Sequence, residues 1–279
     1  LEVRVGHDDG LKFRYPWIIP GIGSTDVAKN NWEGLAIGSA LSGTGLTIGE
    51  NVVGMDMEAT IENGKVTDTA DLKQRVKLYQ DHQIDGYGAI IVQANVEDTR
   101  LGAQEYAIQQ LGVEVVELKW GQGAKNIGGE VKIKDLRKAQ ELYRRGYVVL
   151  PDPTDEHVIK AYERGTFHEF ERHSRVGMVE EEAFARRVEE LREAGAKYVF
   201  LKTGAYRPAD LARAVAWSSA YGIDLLTVDG AGGGTGMSPW HMMNEWGVPP
   251  VELHSLLYRY GRHLADQGRP LPTMALAGG

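Results

Sequence analysis

Asp224-Leu225-Leu226-Thr227-Val228-Asp229-Gly230-Ala231-Gly232-Gly233-Gly234-Thr235-Gly236-Met237-Ser238-Pro239 reads as a buried strand that runs straight into a glycine-rich turn. The apolar run from Leu225 to Val228 fits a strand of a parallel sheet, where both faces are covered. Five glycines between Gly230 and Gly236 let the backbone turn tightly and approach a flat or anionic ligand closely. Ser238-Pro239 reads as an N-cap followed by a first-turn proline, so a helix is expected to start there. Strand, glycine loop and helix N-terminus together can hold a phosphate or a cofactor ring; the plainer reading is a tight turn with no ligand.

The same rhythm extends in both directions. Trp17-Ile18-Ile19, closed by Pro20-Gly21-Ile22-Gly23-Ser24, predicts a first strand, and Thr25 to Ser42 a helix. Further strands are expected at 43–47, 88–93, 113–118, 197–202 and 272–277, which with 225–228 makes seven. Helices are expected at 101–111, 180–195, 208–221, 239–246 and 251–267. Two stretches are too long for simple connections. Residues 51–84 read as an insertion with a helix over 71–83, and 131–178 as helices over 133–145 and 155–164 around Val148-Val149-Leu150. Alternating strands and helices predict an α/β fold with a parallel sheet. Seven strands, each entering a polar or glycine-rich loop, predict a (β/α)8 TIM barrel truncated after its seventh strand. The rival is a doubly wound open sheet, whose G-x-G-x-x-G fingerprint after the first strand is missing. Residues 1–15 are expected to form an N-terminal β-hairpin appendage, turning at Asp8-Asp9-Gly10, and residues 16–279 one barrel domain, incomplete at its C-terminus. Leu1 and the closing strand-like Met274-Ala275-Leu276-Ala277-Gly278-Gly279 suggest a piece of a longer polypeptide.

Composition narrows the function. The 279 residues carry a net charge of −8, which disfavours a nucleic-acid or anionic-membrane partner. No apolar run reaches the ~20 residues that span a bilayer, and a cytoplasmic setting is expected. The chain has no cysteine, which excludes disulfides, thiol catalysis and cysteine-ligated metal within these residues. The histidines are scattered with no i, i+4 pair, so no metal site is expected, and there is no G-x-S-x-G elbow.

In a barrel the strand C-termini share one mouth. Ser24, Thr47, Glu50, Gln93, Lys125, Lys202, Asp229, Gly278 and Gly279 then become neighbours. Two lysines, a glutamine and bare glycine backbone suit a flat polar ring and an anion, since a cation beside such a ring stabilises its reduced form. Lys202 is alternatively a strand-end lysine with its head in water. Arg172-His173-Ser174-Arg175 is read as a polar cluster between helices, either a bidentate seat for a dicarboxylic acid or a solvated link.

Gly121-Gln122-Gly123-Ala124-Lys125 with Gly128-Gly129, Thr47 to Glu50, and Asp229 to Pro239, in that order, resemble the FMN-binding synthase domain of the glutamate synthase family. The match is nearest its stand-alone members and runs over nearly all of residues 16–279. The resemblance implies a (β/α)8 barrel with FMN at the mouth, where 2-oxoglutarate and ammonia form an imine reduced by hydride to L-glutamate. It implies that Gly21, Gly23 and Ser24 line the flavin, that Thr47 and Gln93 touch its ring, and that Lys202 lies near the N1/O2 edge. Asp229, Gly230 and Gly233 join the cofactor site, and Gly278 and Gly279 open the phosphate loop. Gln122, Lys125, Arg172 and Ser174 would hold 2-oxoglutarate, with Glu50 and Lys125 as catalytic groups. An iron–sulfur cluster enters only with cysteines beyond residue 279. The implied partners are a glutaminase subunit or free ammonia, an electron-donor subunit or NAD(P)H, and further copies of the chain in a homo-oligomer. The same barrel could instead serve another amine and 2-oxo acid, as an N-alkylglutamate synthase does, or pass electrons without catalysis.

Overall fold

A computed structural model describes residues 2–7, 10–121, 130–175, 177–233 and 238–278. The chain opens with an antiparallel hairpin, β1 (Val3–Val5) and β2 (Leu11–Phe13). β3 (Ile18–Ile22) leads through α1 (Asp26–Ser42) into β4 (Gly45–Ile48). Thr25 caps α1 through its hydroxyl, and Gly43 ends it in the left-handed conformation that a side chain would disfavour. Next come α2 (Val52–Met55), a small hairpin β5 (Thr60–Glu62) and β6 (Lys65–Asp68), α3 (Ala70–Gln80) and β7 (Ala89–Ala94). α4 (Val96–Leu101) and α5 (Ala103–Leu111) precede β8 (Val115–Lys119). α5 corresponds to the helix expected at 101–111; α4 has no counterpart among the expected helices, and Gly102, at φ 71°, separates the two.

A second, antiparallel sheet then intervenes, with β9 (Glu130–Ile133), β10 (Val148–Leu150) and β11 (Phe170–His173) in the order β10-β11-β9. α6 (Leu136–Arg144) and α7 (Glu156–Glu163) connect its strands. The expected helix over 133–145 therefore begins only at Leu136, because Val131 and Ile133 pair in the sheet. Arg172 lies on β11, not between helices. α8 (Glu181–Glu193), β12 (Tyr198–Thr203), α9 (Pro208–Ala220), β13 (Leu225–Asp229), α10 (Pro250–Asp266) and β14 (Thr273–Ala277) complete the chain. In place of the helix expected over 239–246 there is a π-helical turn at Met242–Trp246.

The main sheet has seven strands in the order β14-β13-β12-β8-β7-β4-β3, all neighbours parallel. Each strand pairs with the next one in the chain, so there is no point at which the order reverses, as a doubly wound sheet requires. The sheet curls: Ile18 of the first strand and Ala275 of the last pack on one cluster with Ile91, Val115, Phe200 and Leu225. Val5 and Phe13 sit in that cluster, so the N-terminal hairpin closes the floor of the curled sheet. The architecture is that of a truncated TIM barrel, with its outer face covered by helices over two further cores. Among the described residues no helix is long and apolar enough to cross a membrane.

Candidate functional site

Strand periodicity builds the site. Ile91, Val115, Phe200 and Leu225 face the interior at the floor. Side chains alternate along a strand, so the positions two and four residues further on face the same interior at the C-terminal end. Those positions are Gln93, Glu117, Lys119, Lys202, Thr227 and Asp229. Register sets them side by side: Gln93 is opposite Glu117, Lys119 opposite Lys202, and Lys202 opposite Thr227. Thr47 of β4, opposite Ile91, is buried as well.

Three pairs organise this mouth. Lys119 Nζ meets Glu50 Oε1 at 2.6 Å. Lys202 Nζ meets Asp229 Oδ2 at 3.1 Å. Gln93 Nε2 donates to Glu117 Oε1 at 2.6 Å. Burial alone would raise Glu50, but the charge and hydrogen bond of Lys119 outweigh it and hold the carboxyl below its ordinary range. Glu117 moves the other way: burial pushes it up, and the lysines and Gln93 only partly offset that.

A second polar cluster lies behind Glu50. Asn51 adopts φ 71°, a conformation asparagine tolerates better than most residues. Its N–H donates to Asp98 Oδ2 at 2.8 Å. Asp98 is the third residue of α4 and closes a capping box with Asn95. Arg172, fully buried, donates from Nη2 to Asn51 Oδ1 at 2.9 Å and from Nη1 to Ser174 Oγ at 2.7 Å, and its guanidinium stacks over Tyr147. Burial pushes the Asp98 carboxyl up to about 7, with Glu50 adding to the rise and the Asn51 N–H and Arg172 opposing it. This network fixes the backbone immediately after Glu50.

The remaining residues singled out in the sequence fall as follows. Gly21 and Gly23 lie where β3 meets the β4 loop. A Cβ on Gly21 would stand 2.9 Å from Gln93 Oε1, and one on Gly23 would strike the carbonyl of Glu50. Ser24 is half-buried just beyond. Gly230 and Gly278 pack together against Pro250, with a Cβ on Gly230 standing 2.5 Å from its Cα. These four glycines let chain approach chain around the mouth. Gly233 is half-buried in the loop after β13. Gln122, Lys125 and Gly279 lie outside the described residues.

The structure thus gathers Glu50, Thr47, Gln93, Lys202 and Asp229 at one strand end, and sets Arg172 and Ser174 in the adjoining network. Sequence reasoning missed Glu117, Lys119 and Asp98. A signal for the first two was present: Val115-Val116-Glu117-Leu118-Lys119 places two charges on one face of an otherwise apolar strand, next to its C-terminal end.

Residues 172–258 match the family model described as a conserved region in glutamate synthase. That segment runs from β11 into α10 and is similar to the conserved region of glutamate synthase over less than a third of the chain. A comparison with curated proteins finds no match. Among solved structures, the chain is similar to a variant carboxyl transferase domain of Rhizobium etli pyruvate carboxylase with pyruvate, at 10% identity and a TM-score of 0.34. That alignment covers 89% of this chain and 40% of the other, and at so low a score it carries no argument.

Proposed function

We propose that the protein is an FMN-dependent oxidoreductase of the glutamate-synthase type, which reductively aminates 2-oxoglutarate to L-glutamate. One observation carries this reading: within the family-matched segment, the Lys202 ammonium reaches the mouth of the curled parallel sheet. The mouth also fits a flavin ring by its own chemistry. Among the described residues Gln93 Oε1 is buried with no hydrogen-bond partner, and an amide end in that state is suited to a ring with donors and acceptors along its edge. Thr47, Gln93 and Lys202 would hold the ring, with Asp229, Gly230, Gly233 and Gly278 around it. Bound FMN would supply the hydride.

The chain's own residues do the rest. Lys202 provides positive charge where a reduced ring gains negative charge, and Asp229 keeps that ammonium in place. Glu50, held ionised by Lys119, cannot readily serve as an acid; its part is to attract a cationic nitrogen, ammonium or iminium, by charge. The Asn51–Asp98–Arg172 network keeps Glu50 from drifting. The family resemblance assigns Gln122 and Lys125 to 2-oxoglutarate, whose carboxylates call for cations. The balance is one 2-oxo acid, one ammonia, a hydride and a proton giving one amino acid and one water.

The test is anaerobic. Protein loaded with FMN and reduced should be reoxidised by 2-oxoglutarate plus ammonium, with one glutamate formed per flavin. Reoxidation only with methylamine would move the reading to an N-alkylglutamate synthase, and reoxidation only by an electron-transfer protein would end the catalytic reading.

A further inference from the structure

Glu50, Glu117, Lys119, Lys202 and Asp229 converge on the mouth, and their pairing leaves one over. Lys119 takes Glu50 and Lys202 takes Asp229. Glu117 is 5% exposed and, among the described residues, makes no ion pair; its carboxyl meets the Gln93 amide. An ionised Glu117 would be a third carboxylate charge beside the two lysine–carboxylate pairs, in a layer sealed below by Val115 and Phe200. Gln93 raises the matching difficulty, because among the described residues its buried Oε1 has no donor. The two ends of an amide have the same shape, so Gln93 fits equally well turned over. Turned over, its oxygen meets Glu117, and that contact is a hydrogen bond only if Glu117 carries a proton. One proton on Glu117 therefore removes the surplus charge and gives the Gln93 oxygen a donor, and it is then the Gln93 NH2 that awaits a partner on the side of Gly21.

We propose that Glu117 is a positioning residue that stays neutral and donates its proton to Gln93 Oε1, fixing the Gln93 NH2 on the side of Gly21. The mouth then offers a donor at Gln93, and the ligand atom it receives there is an acceptor, a carbonyl oxygen or an unprotonated ring nitrogen, not an N–H. The groups facing Glu117 agree with this. Lys202 from β12, Lys119 from its own strand, Glu50 from the β4 loop and Asp229 beyond Lys202 are arranged as two neutral pairs. Even with the Gln93 amide donating to it, burial pushes the Glu117 carboxyl upward against the pull of that amide and both lysines, with Glu50 helping; turned over, the amide no longer opposes the rise.

Infrared spectra of the full chain at neutral pH decide it. The difference between wild type and Glu117→Gln should contain the C=O band of a protonated carboxyl, lost in the variant. Gln93→Leu should shift that band by removing its acceptor. A difference containing only ionised-carboxylate bands overturns the proposal, and so does a band that ignores Gln93→Leu. If Glu117→Gln does not fold, alkaline titration of wild type and Gln93→Leu serves instead, because a neutral Glu117 bonded to Gln93 must titrate differently in the two. A second arm rests on the flavin reading: Glu117→Leu should weaken FMN binding about tenfold, the scale of one lost hydrogen bond. An unchanged Kd overturns the positioning role. Failure of wild type to bind any FMN strikes the flavin reading and leaves the infrared result standing.

Discussion

The two ends of the same seven strands solve opposite problems. At the floor, Val5, Phe13, Ala89, Ile91, Val115, Phe200 and Leu225 form a dry cluster, and a hairpin from outside the sheet closes it. Only two or four residues further along the strands, the same interior holds Gln93, Glu117, Lys119, Lys202 and Asp229. Apolar contact needs no particular partner, so the floor tolerates any side chain that fills it. The mouth is buried almost as deeply, yet every charge there must be matched. One end therefore supplies stability, and the other holds a costly polar arrangement in readiness for a ligand.

The sharpest way to break this contrast is at the floor. Phe13→Ala should lower stability by about 3–5 kcal/mol, the cost of emptying a buried aromatic site, while ligand binding in the folded fraction stays as it was. Urea unfolding with a ligand titration would check both parts; lost binding in folded protein would mean the two ends are coupled.

The next effect belongs to the polar network behind the mouth. Asp98 has its folded pKa raised to about 7, above the ordinary carboxylate value. The folded state therefore keeps a proton that the unfolded chain gives up from about pH 4. Stability should fall as pH rises from about 4 to about 7, by about 2–4 kcal/mol for this group. Asp98→Asn keeps the acceptor for Asn51 and should flatten that slope. Chemical denaturation of both proteins at pH 5 and pH 8 measures it, and equal slopes would remove Asp98 as the cause.

Lys202→Met tests whether mouth charge acts on a ligand. Asp229 already neutralises part of the ammonium, so about 1 kcal/mol of differential stabilisation is left for a reduced flavin. The midpoint potential should drop by ~20 mV, a two-electron tenfold being ~30 mV. Redox titration with FMN fully bound reads this, and identical potentials would place Lys202 away from the ring. The smallest effect is expected at the surface, where Lys77 and Asp81 form the same kind of pair in water. Lys77→Ala should cost no more than about 0.5 kcal/mol, which sets the scale for a lysine–aspartate pair without burial.

Much of this is legible in the sequence. Strand period, turn glycines and the alternation of helix and strand are local properties, and they gave the seven parallel strands in order, the hairpin, and Lys202 and Asp229 at strand ends. Local signals failed where a neighbour overrode them. Ile133 looks helical in sequence but pairs with Phe170, and α4 (Val96–Leu101) forms ahead of the helix expected at 101–111, where Asn95 and Asp98 close a capping box.

The sequence by itself determined the α/β order, the side of each strand a residue faces, and the charges available. Which charge meets which was decided only by the tertiary structure. Lys119 finds Glu50 across 69 residues, Gln93 finds Glu117 across 24, and Arg172 finds Asn51 across 121. Those meetings depend on the register between strands and on the curl of the sheet. Burial then makes each of them matter, because a charge removed from water has to settle with whatever partner the fold brings near.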